Sequence, residues 1–365
     1  MKIDRVKFTN LFTSVFSGVP ARTPKDVLKN ILCSCKDGTM TLAASDSEIH
    51  LKNEMPCDSG KVFCLLPAAR VMSILKELTA ETITLTGDAS KVRIVCGSAD
   101  FELGGVDPEE FPPTPTFDAD SYYLFNAAAL KEAIKRTVFS TDTESTRYAL
   151  GGISIEMDDR ATLASTDSRR LSLASCDVEK INSPQWGKSG SSPVVPTACM
   201  KLILNALDQT DCFVAHNNQT VSFKIGTIFI SSQTIQGRFP DYRRVVPANM
   251  DFKRTFEVSA APFSSLIRQV RVMEEGESKV IQLTFESGSL KATSNPNDIG
   301  SARAEMPIPL EGEPMVIKLN GQYLGEYLKV LDSTSLVQVC LISDADRLTF
   351  KVDNYIHVLM PTAKD

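Results

Sequence analysis

The chain repeats one layout three times, and a repeat of that length decides the architecture before any single motif does. FCLLPAARVMSILKEL from Phe63, SPVVPTACMKLILNAL from Ser192 and PMVIKLNGQYLGEYLKVL from Pro314 each read as a short apolar strand followed by a helix-period run. The strands close at Pro67, Pro196 and Asn320, residues suited to a helix start because the first helical N–H groups have no partner inside the helix. Val71, Ile74, Leu75 and Leu78 then recur at spacings of three and four, which marks one buried face. Upstream, KDGTMTLAASDSEIHL, DDRATLASTDSRRLSL and ESGSLKATSNPNDIGSARAEM bring Asp46, Asp167 and Asn295 into register at offsets of about 121 and 128 residues. A second helical segment opens each unit, from Phe8, Ala127 and Pro262, and alternating runs such as ETITLTGDASKVRIVC close it.

Each unit therefore reads strand, helix, strands, then strand, helix, strands, over about 115 to 125 residues. That pattern predicts an α+β domain with two helices on one face of antiparallel sheets. The joints fall in EEFPPTPTFDADS and near VVPANMDFKRT, which puts the boundaries near Asp118 and Met250 and the domains at 1–118, 119–250 and 251–365. Three similar domains point to a function that uses repetition, and away from an enzyme with one pocket.

Several function classes fall away. With 39 Lys and Arg against 45 Asp and Glu, a net charge of -6 and a pI near 5.3, the protein does not hold nucleic acid by being basic all over, although a local basic face stays open. No window approaches the roughly 18 to 20 apolar residues of a membrane helix, and MKIDRVKFTN lacks the apolar core of a signal peptide. A cytoplasmic protein with no membrane partner is expected. Nine cysteines scattered from Cys33 to Cys340 without a CxxC indicate buried free thiols rather than a disulfide framework or a zinc site. Gly187, Lys188 and Ser189 sit in NSPQWGKSGS, where Asn182 stands in place of the glycine a phosphate loop needs, so a polar loop is expected. His50, His216 and His357 are far apart, and neither a triad nor a metal site assembles around them. The pairs Asp158 with Asp159 and Glu109 with Glu110 read as solvated turns. No catalytic residue, metal or cofactor is expected.

TRYALGG (Thr146 to Gly152), ASTDSRRLSL (Ala164 to Leu173), GRFPDYRRVVP (Gly237 to Pro247) and HVLMP (His357 to Pro361) together closely resemble the bacterial DNA polymerase III beta subunit, the sliding clamp. The resemblance covers the whole chain, and GRFPDYRR is its most specific piece. It implies a head-to-tail homodimer of six domains closed into a ring, with twelve helices lining a hole for duplex DNA. A ring holds DNA topologically, so a mildly basic lining suffices beneath an acidic exterior. Lys131, Lys135 and Arg136 in one helical segment, Arg268 and Arg271 in another, and Lys2, Arg5, Lys7, Arg22, Lys25 and Lys29 near the start fit such a lining. Carried over by the resemblance, DNA contacts fall on Arg22, Arg70, Arg147, Tyr148, Lys201 and Lys279, through phosphate pairing and, for Tyr148, a hydroxyl donor or flat packing surface, with no reading of base edges.

The resemblance also implies a groove for short linear motifs of the replicative polymerase alpha subunit, the clamp loader, other polymerases and repair proteins. Its residues are Leu150, Thr166, Arg170, Leu171, Pro240, Arg244, Val245, Val358, Met360 and Pro361. Leu, Val, Met and Pro suit an apolar anchor, and Arg and Thr suit a polar rim. Ser168 and Arg169 stand where the family usually has glycine and histidine. For the dimer seam the resemblance sets Ile74, Leu78, Phe101 and Leu103 against Val272 and Met273. Asp100 and Arg303 thin the charge pairing that the family commonly uses there, which suggests a weaker or salt-insensitive dimer. Two other readings compete: a monomeric peptide-binding adaptor that does not encircle DNA, and a hydrolase with its site at a domain joint.

Overall fold

The computed structural model describes residues 1–58, 61–117, 120–142, 144, 149–187, 192–217, 219–246, 252–274, 279–296, 298 and 300–362. The boundaries at Asp118 and Met250 lie outside the described residues. Among the described residues six α-helices appear where the repeat demands them: α1 (Arg5–Phe16), α2 (Ala68–Glu77), α3 (Ala127–Thr137), α4 (Thr197–Ala206), α5 (Ala260–Arg271) and α6 (Gly321–Lys329). In the first and third repeats the order is strand, helix, three strands, strand, helix, three strands; the second adds one short strand, Glu179–Ile181.

The helix starts follow from local chemistry. α2 and α4 begin directly after Pro67 and Pro196, and the Asn320 side chain caps α6 by accepting from Tyr323 N–H at 3.2 Å. α1 begins at Arg5 rather than Phe8, because the Asp4 carboxylate accepts from Lys7 N–H at 2.8 Å and extends the helix backwards. Each helix buries one stripe: Phe8, Leu11, Phe12 and Val15 in α1, and Phe263, Leu266, Ile267 and Val270 in α5. α6 lies close to α5, and a Cβ added at Gly321 would collide with the Glu274 carboxylate.

The chain packs as two compact units whose limits differ from those of the repeats: Met1–Ala128 with Val178–Thr234, and Ala129–Asp177 with Ile235–Asp365. The reason is that sheets run on from one repeat into the next. In the first unit, strand Ile228–Gln233 pairs antiparallel with Ile49–Pro56, setting Phe229 opposite Lys52 and Ser232 opposite Ile49, within a nine-stranded sheet. In the second unit, Arg170–Cys176 pairs antiparallel with Tyr355–Leu359, setting Leu171 opposite Val358 and Ser172 opposite His357. Each unit also holds a four-stranded sheet, ordered Lys2–Asp4, Thr82–Gly87, Lys91–Cys96, Ala99–Gly104 in the first and Arg303–Pro307, Ser289–Ser294, Val280–Glu286, Met315–Asn320 in the second.

The register seen in the sequence has a structural counterpart. Asp46 Oδ1 accepts from Glu48 and Ile49 N–H at 2.9 and 2.6 Å, and Asp167 Oδ1 accepts from Arg169 and Arg170 N–H, both at 3.0 Å. The same Asp-led turn therefore links the same two strands in repeats one and two, with Ser47 and Ser168 at φ 87° and 74°. Asn295 opens the equivalent, longer connection in the third repeat.

Candidate functional site

In the second unit an apolar cavity of about 430 Å³ opens where strand Arg170–Cys176 meets Tyr355–Leu359. Its wall contains Leu150, Thr166, Arg170, Leu171, Pro240, Val245, Val358 and Met360, eight of the ten residues expected in a peptide groove. Ser168, Tyr242 and Arg347 complete the lining. Ala164, Leu171, Leu173, Tyr242 and Val358 form a buried cluster behind it, with Phe239, Val245, Val246 and Ile356 packed against them. The alternation of the closing strand explains the wall, since Val358 faces the cluster and Met360, 41% exposed, reaches the rim with its N–H donating to Arg169 C=O at 2.9 Å.

GRFPDYRR builds the opposite wall by chemistry visible in its residues. The Tyr242 hydroxyl donates to Glu156 Oε2 at 2.8 Å, and the Arg243 guanidinium clamps the same carboxylate at 3.2 and 2.5 Å. Burial, and secondly this carboxylate, push the Tyr242 phenol well above its ordinary range, so it stays a donor. The short turn Tyr242–Arg244 is thereby fixed against strand Gly152–Met157, and Pro240 and Val245 on either side are presented to the cavity.

Two expected rim residues are engaged internally. The Arg170 side chain is only 7% exposed; Nε meets Asp167 Oδ2 at 2.8 Å, Nη1 meets Glu326 Oε2 at 2.5 Å, and Nη2 donates to Phe139 C=O at 2.6 Å. Its plane also lies over Tyr323, 4.2 Å from the ring centroid. Thr166 Oγ1 donates to Arg170 C=O at 2.6 Å. Both side chains shape the cavity rather than offer free donors to it. Arg347 differs, since its Nε is buried and has no hydrogen-bond partner among the described residues. Arg244 is off the lining, exposed, with Nε 2.9 Å from Asp241 Oδ2; Pro361 is off the lining too, and the next residue, Thr362, donates its N–H to Lys318 C=O at 2.9 Å.

Beneath the cavity His357 is fully buried, its Nδ1 2.9 Å from Ser172 Oγ, and Ser172 is also 2.8 Å from Ser140 Oγ. His357 stacks on Tyr327 with centroids 4.7 Å apart. Burial, and then the Arg170 charge, hold its ring neutral, with the pKa lowered to about 3. Ser172 is likewise fully buried, so this Ser–His contact is a core pair sealed from substrate. Among the described residues no group of three or more His, Cys, Asp or Glu could hold a metal ion.

The expected DNA contacts fall in both units. In the first unit Arg22, Arg70 and Lys201 are exposed, the last two on α2 and α4. In the second, Lys279 is half-buried and its ammonium donates to Gln322 Oε1. Arg147 and Tyr148 lie outside the described residues. Arg136 is buried, bonded to Glu132 Oε1 and Asn354 Oδ1 at 3.0 Å each, and Arg271 pairs with Glu274 at 3.0 Å, so Lys135 and Arg268 are the exposed cations of those two segments. For the expected seam, Ile74 and Leu78 are each 6% exposed and belong to the first unit's core, while Phe101 and Leu103 are half-buried on the outer strand Ala99–Gly104. Asp100 pairs within its own sheet with Arg93 at 2.5 Å. In the second unit Val272 is 78% exposed and Met273 half-buried.

Comparison with known proteins decides the family. Family models for the DNA polymerase III beta subunit match end to end: N-terminal domain over residues 1–115, central domain over 125–241 and C-terminal domain over 243–362. The beta sliding clamp of Halalkalibacterium halodurans is 30% identical over 351 residues, covering 92% of this chain and 91% of that protein. The chain belongs to the DNA polymerase III beta subunit family. Another beta subunit relative, the beta sliding clamp of Synechococcus elongatus, is 25% identical over 88% of this chain and 87% of its own length. The beta subunit fold is shared with solved structures: a DnaN sliding clamp from Bartonella birtlesii bound to griselimycin (TM-score 0.90, 24% identity) and the DNA polymerase sliding clamp from Bacillus subtilis (TM-score 0.90, 22% identity). Each alignment covers 100% of this chain and 99% of the other.

Proposed function

We propose that this chain is a DNA sliding clamp, a non-catalytic processivity subunit that encircles duplex DNA as a homodimer and tethers the replicative polymerase. The observation that carries this reading is the match of all three domain models, in order, along a chain built from three copies of one fold. Tethering needs no chemistry at the clamp. It multiplies the polymerase's local concentration at the primer end. Domain limits at 1–118, 119–250 and 251–365, and action in the cytoplasm without cofactor or metal, belong to the same reading.

The cavity takes the partners' linear motifs in this account, with apolar anchors against Leu171, Val245, Val358 and Met360. Arg347 offers its Nε to a carbonyl or carboxylate of the bound segment, whereas Arg170 and Thr166 are already bonded within the chain. The polymerase alpha subunit, the clamp loader and repair proteins would compete for this one site. Arg22, Arg70 and Lys201 serve as phosphate contacts, with Arg147, Tyr148 and Lys279 assigned by resemblance alone. Phe101, Leu103, Val272 and Met273 supply the apolar seam, with Ile74 and Leu78 supporting it from the core.

The test is primer extension on a primed single-stranded circle with a compatible clamp loader, ATP and replicative polymerase. Addition of the protein should convert short products into long ones within a single binding event, and Met360→Asp should abolish the gain. Unchanged product length in the presence of a loader that works with another clamp would overturn the proposal.

A further inference from the structure

Four of the nine cysteines meet on the first repeat's sheet. Cys33 and Cys35 lie two residues apart on strand Asn30–Lys36, and Cys64, on the neighbouring strand Val62–Pro67, sits directly opposite Cys33. Cys57 follows strand Ile49–Pro56, held by its N–H to Gly38 C=O at 2.9 Å. That bond sets Cys57 beside the turn that follows Cys35, and the two Sγ atoms are 2.7 Å apart. Cys33 and Cys64 are fully buried and Cys35 nearly so, while Cys57 is half-buried and within reach of a small reagent.

We infer that Cys35 and Cys57 form a redox site, a dithiol that a low-molecular-weight disulfide such as oxidised glutathione converts into an intramolecular disulfide. The Cys57 thiolate attacks one glutathione sulfur, the reagent's S–S bond breaks, and one glutathione leaves. The Cys35 thiolate then attacks Cys57 Sγ, displacing the second glutathione. Two protein thiols are oxidised and one reagent disulfide is reduced, and the two protons end on the two released glutathione thiols. The fit is favourable because the sulfurs already touch across a segment of 22 residues, so closing the bond needs little movement of the folded chain. The bond would staple the end of strand Asn30–Lys36 to the residue that follows strand Ile49–Pro56 and restrict the unfolded chain. Burial, and then the neighbouring Cys35 thiol, push Cys57 up to about 11, so the thiolate is scarce at neutral pH and exchange is slow.

The test uses the full chain incubated with oxidised glutathione, followed by alkylation under denaturing conditions, trypsin and mass spectrometry. The expected result is an intact mass lower by about 2 Da, with the peptide 30–36 joined to 53–61, fragmentation placing the bond on Cys35 and the alkyl group on Cys33, and the joint reversed by dithiothreitol. The oxidised protein should also melt several degrees higher, a shift that Cys57→Ser removes while its far-ultraviolet spectrum stays that of the parent. A glutathione adduct on Cys57 with Cys35 still open to alkylation, a bridge between Cys33 and Cys64 instead, or no reaction would each overturn the inference. The peptide map of the parent protein decides the matter even if the variant folds poorly.

Discussion

Arg170 joins strand to helix, because one guanidinium serves Asp167, Glu326 and the Phe139 carbonyl while lying over Tyr323. Removing it leaves two carboxylates short of a partner in a largely dry place, and Arg170→Ala should lose about 3 to 5 kcal/mol in urea unfolding. Lysine restores the charge without the planar fork, so Arg170→Lys should recover less than half of that. Ser168 holds φ 74°, a left-handed conformation that glycine adopts freely. Ser168→Gly should therefore raise stability by up to about 1 kcal/mol, an effect the same titration resolves. His357 sets an acid limb. Its folded pKa of about 3 lies below the ordinary value of 6.5, so the unfolded chain binds more protons between the two. The stability it provides is complete above about pH 6.5 and is lost as pH falls towards 3. Urea midpoints should fall less steeply between about pH 7 and pH 5 in His357→Gln than in the parent; equal slopes would discount the buried imidazole. At this scale the sequence was only partly legible. The resemblance carried by GRFPDYRR pointed to Leu171 and Val358, which the residues alone show only as apolar strand positions, but Arg347 sits alone in DADRL, and a buried Nε without a partner among the described residues is a property of the folded chain, not of its neighbours in sequence. The Cys35–Cys57 contact was hidden for the same reason, since spacing says nothing of which strands lie together.

Among the elements, all six helices could be read from apolar spacing and from Pro67, Pro196 and Asn320, because those signals are local. The N-terminus of α1 needed one more inference, Asp4 as a cap. The sheets that join repeats could not be read. Ile228–Gln233 and Ile49–Pro56 are far apart in sequence, and alternation shows which faces are apolar but not which strand lies alongside. The outer strand Ala99–Gly104 offers half-buried Phe101 and Leu103, while Asp100 is tied to Arg93 within the sheet. If these residues form the proposed seam, an apolar contact whose nearby charges are already paired within the sheet should respond weakly to salt. Sedimentation should find a dimer whose dissociation constant changes less than about tenfold between 0.05 and 0.5 M salt, and Phe101→Asp should shift it to monomer. A dimer weakened a thousandfold by salt would mean that ion pairs hold the seam.

For the whole molecule, a net charge of -6 on a chain of three repeats describes a protein that does not hold DNA by being basic all over. In the proposed clamp the exposed cations Arg22, Arg70 and Lys201 would give a small local pull, and topology would supply the rest. Lys201→Glu should therefore lower loading without making bound protein leave a closed circle. The most direct measurement is retention on nicked circular DNA after loading with a compatible loader and ATP, washed at high salt and followed before and after the circle is linearised. The protein should stay on circles and leave once ends exist. Protein that stays on linear DNA as well, or never stays on circles although the loader is active, would contradict it.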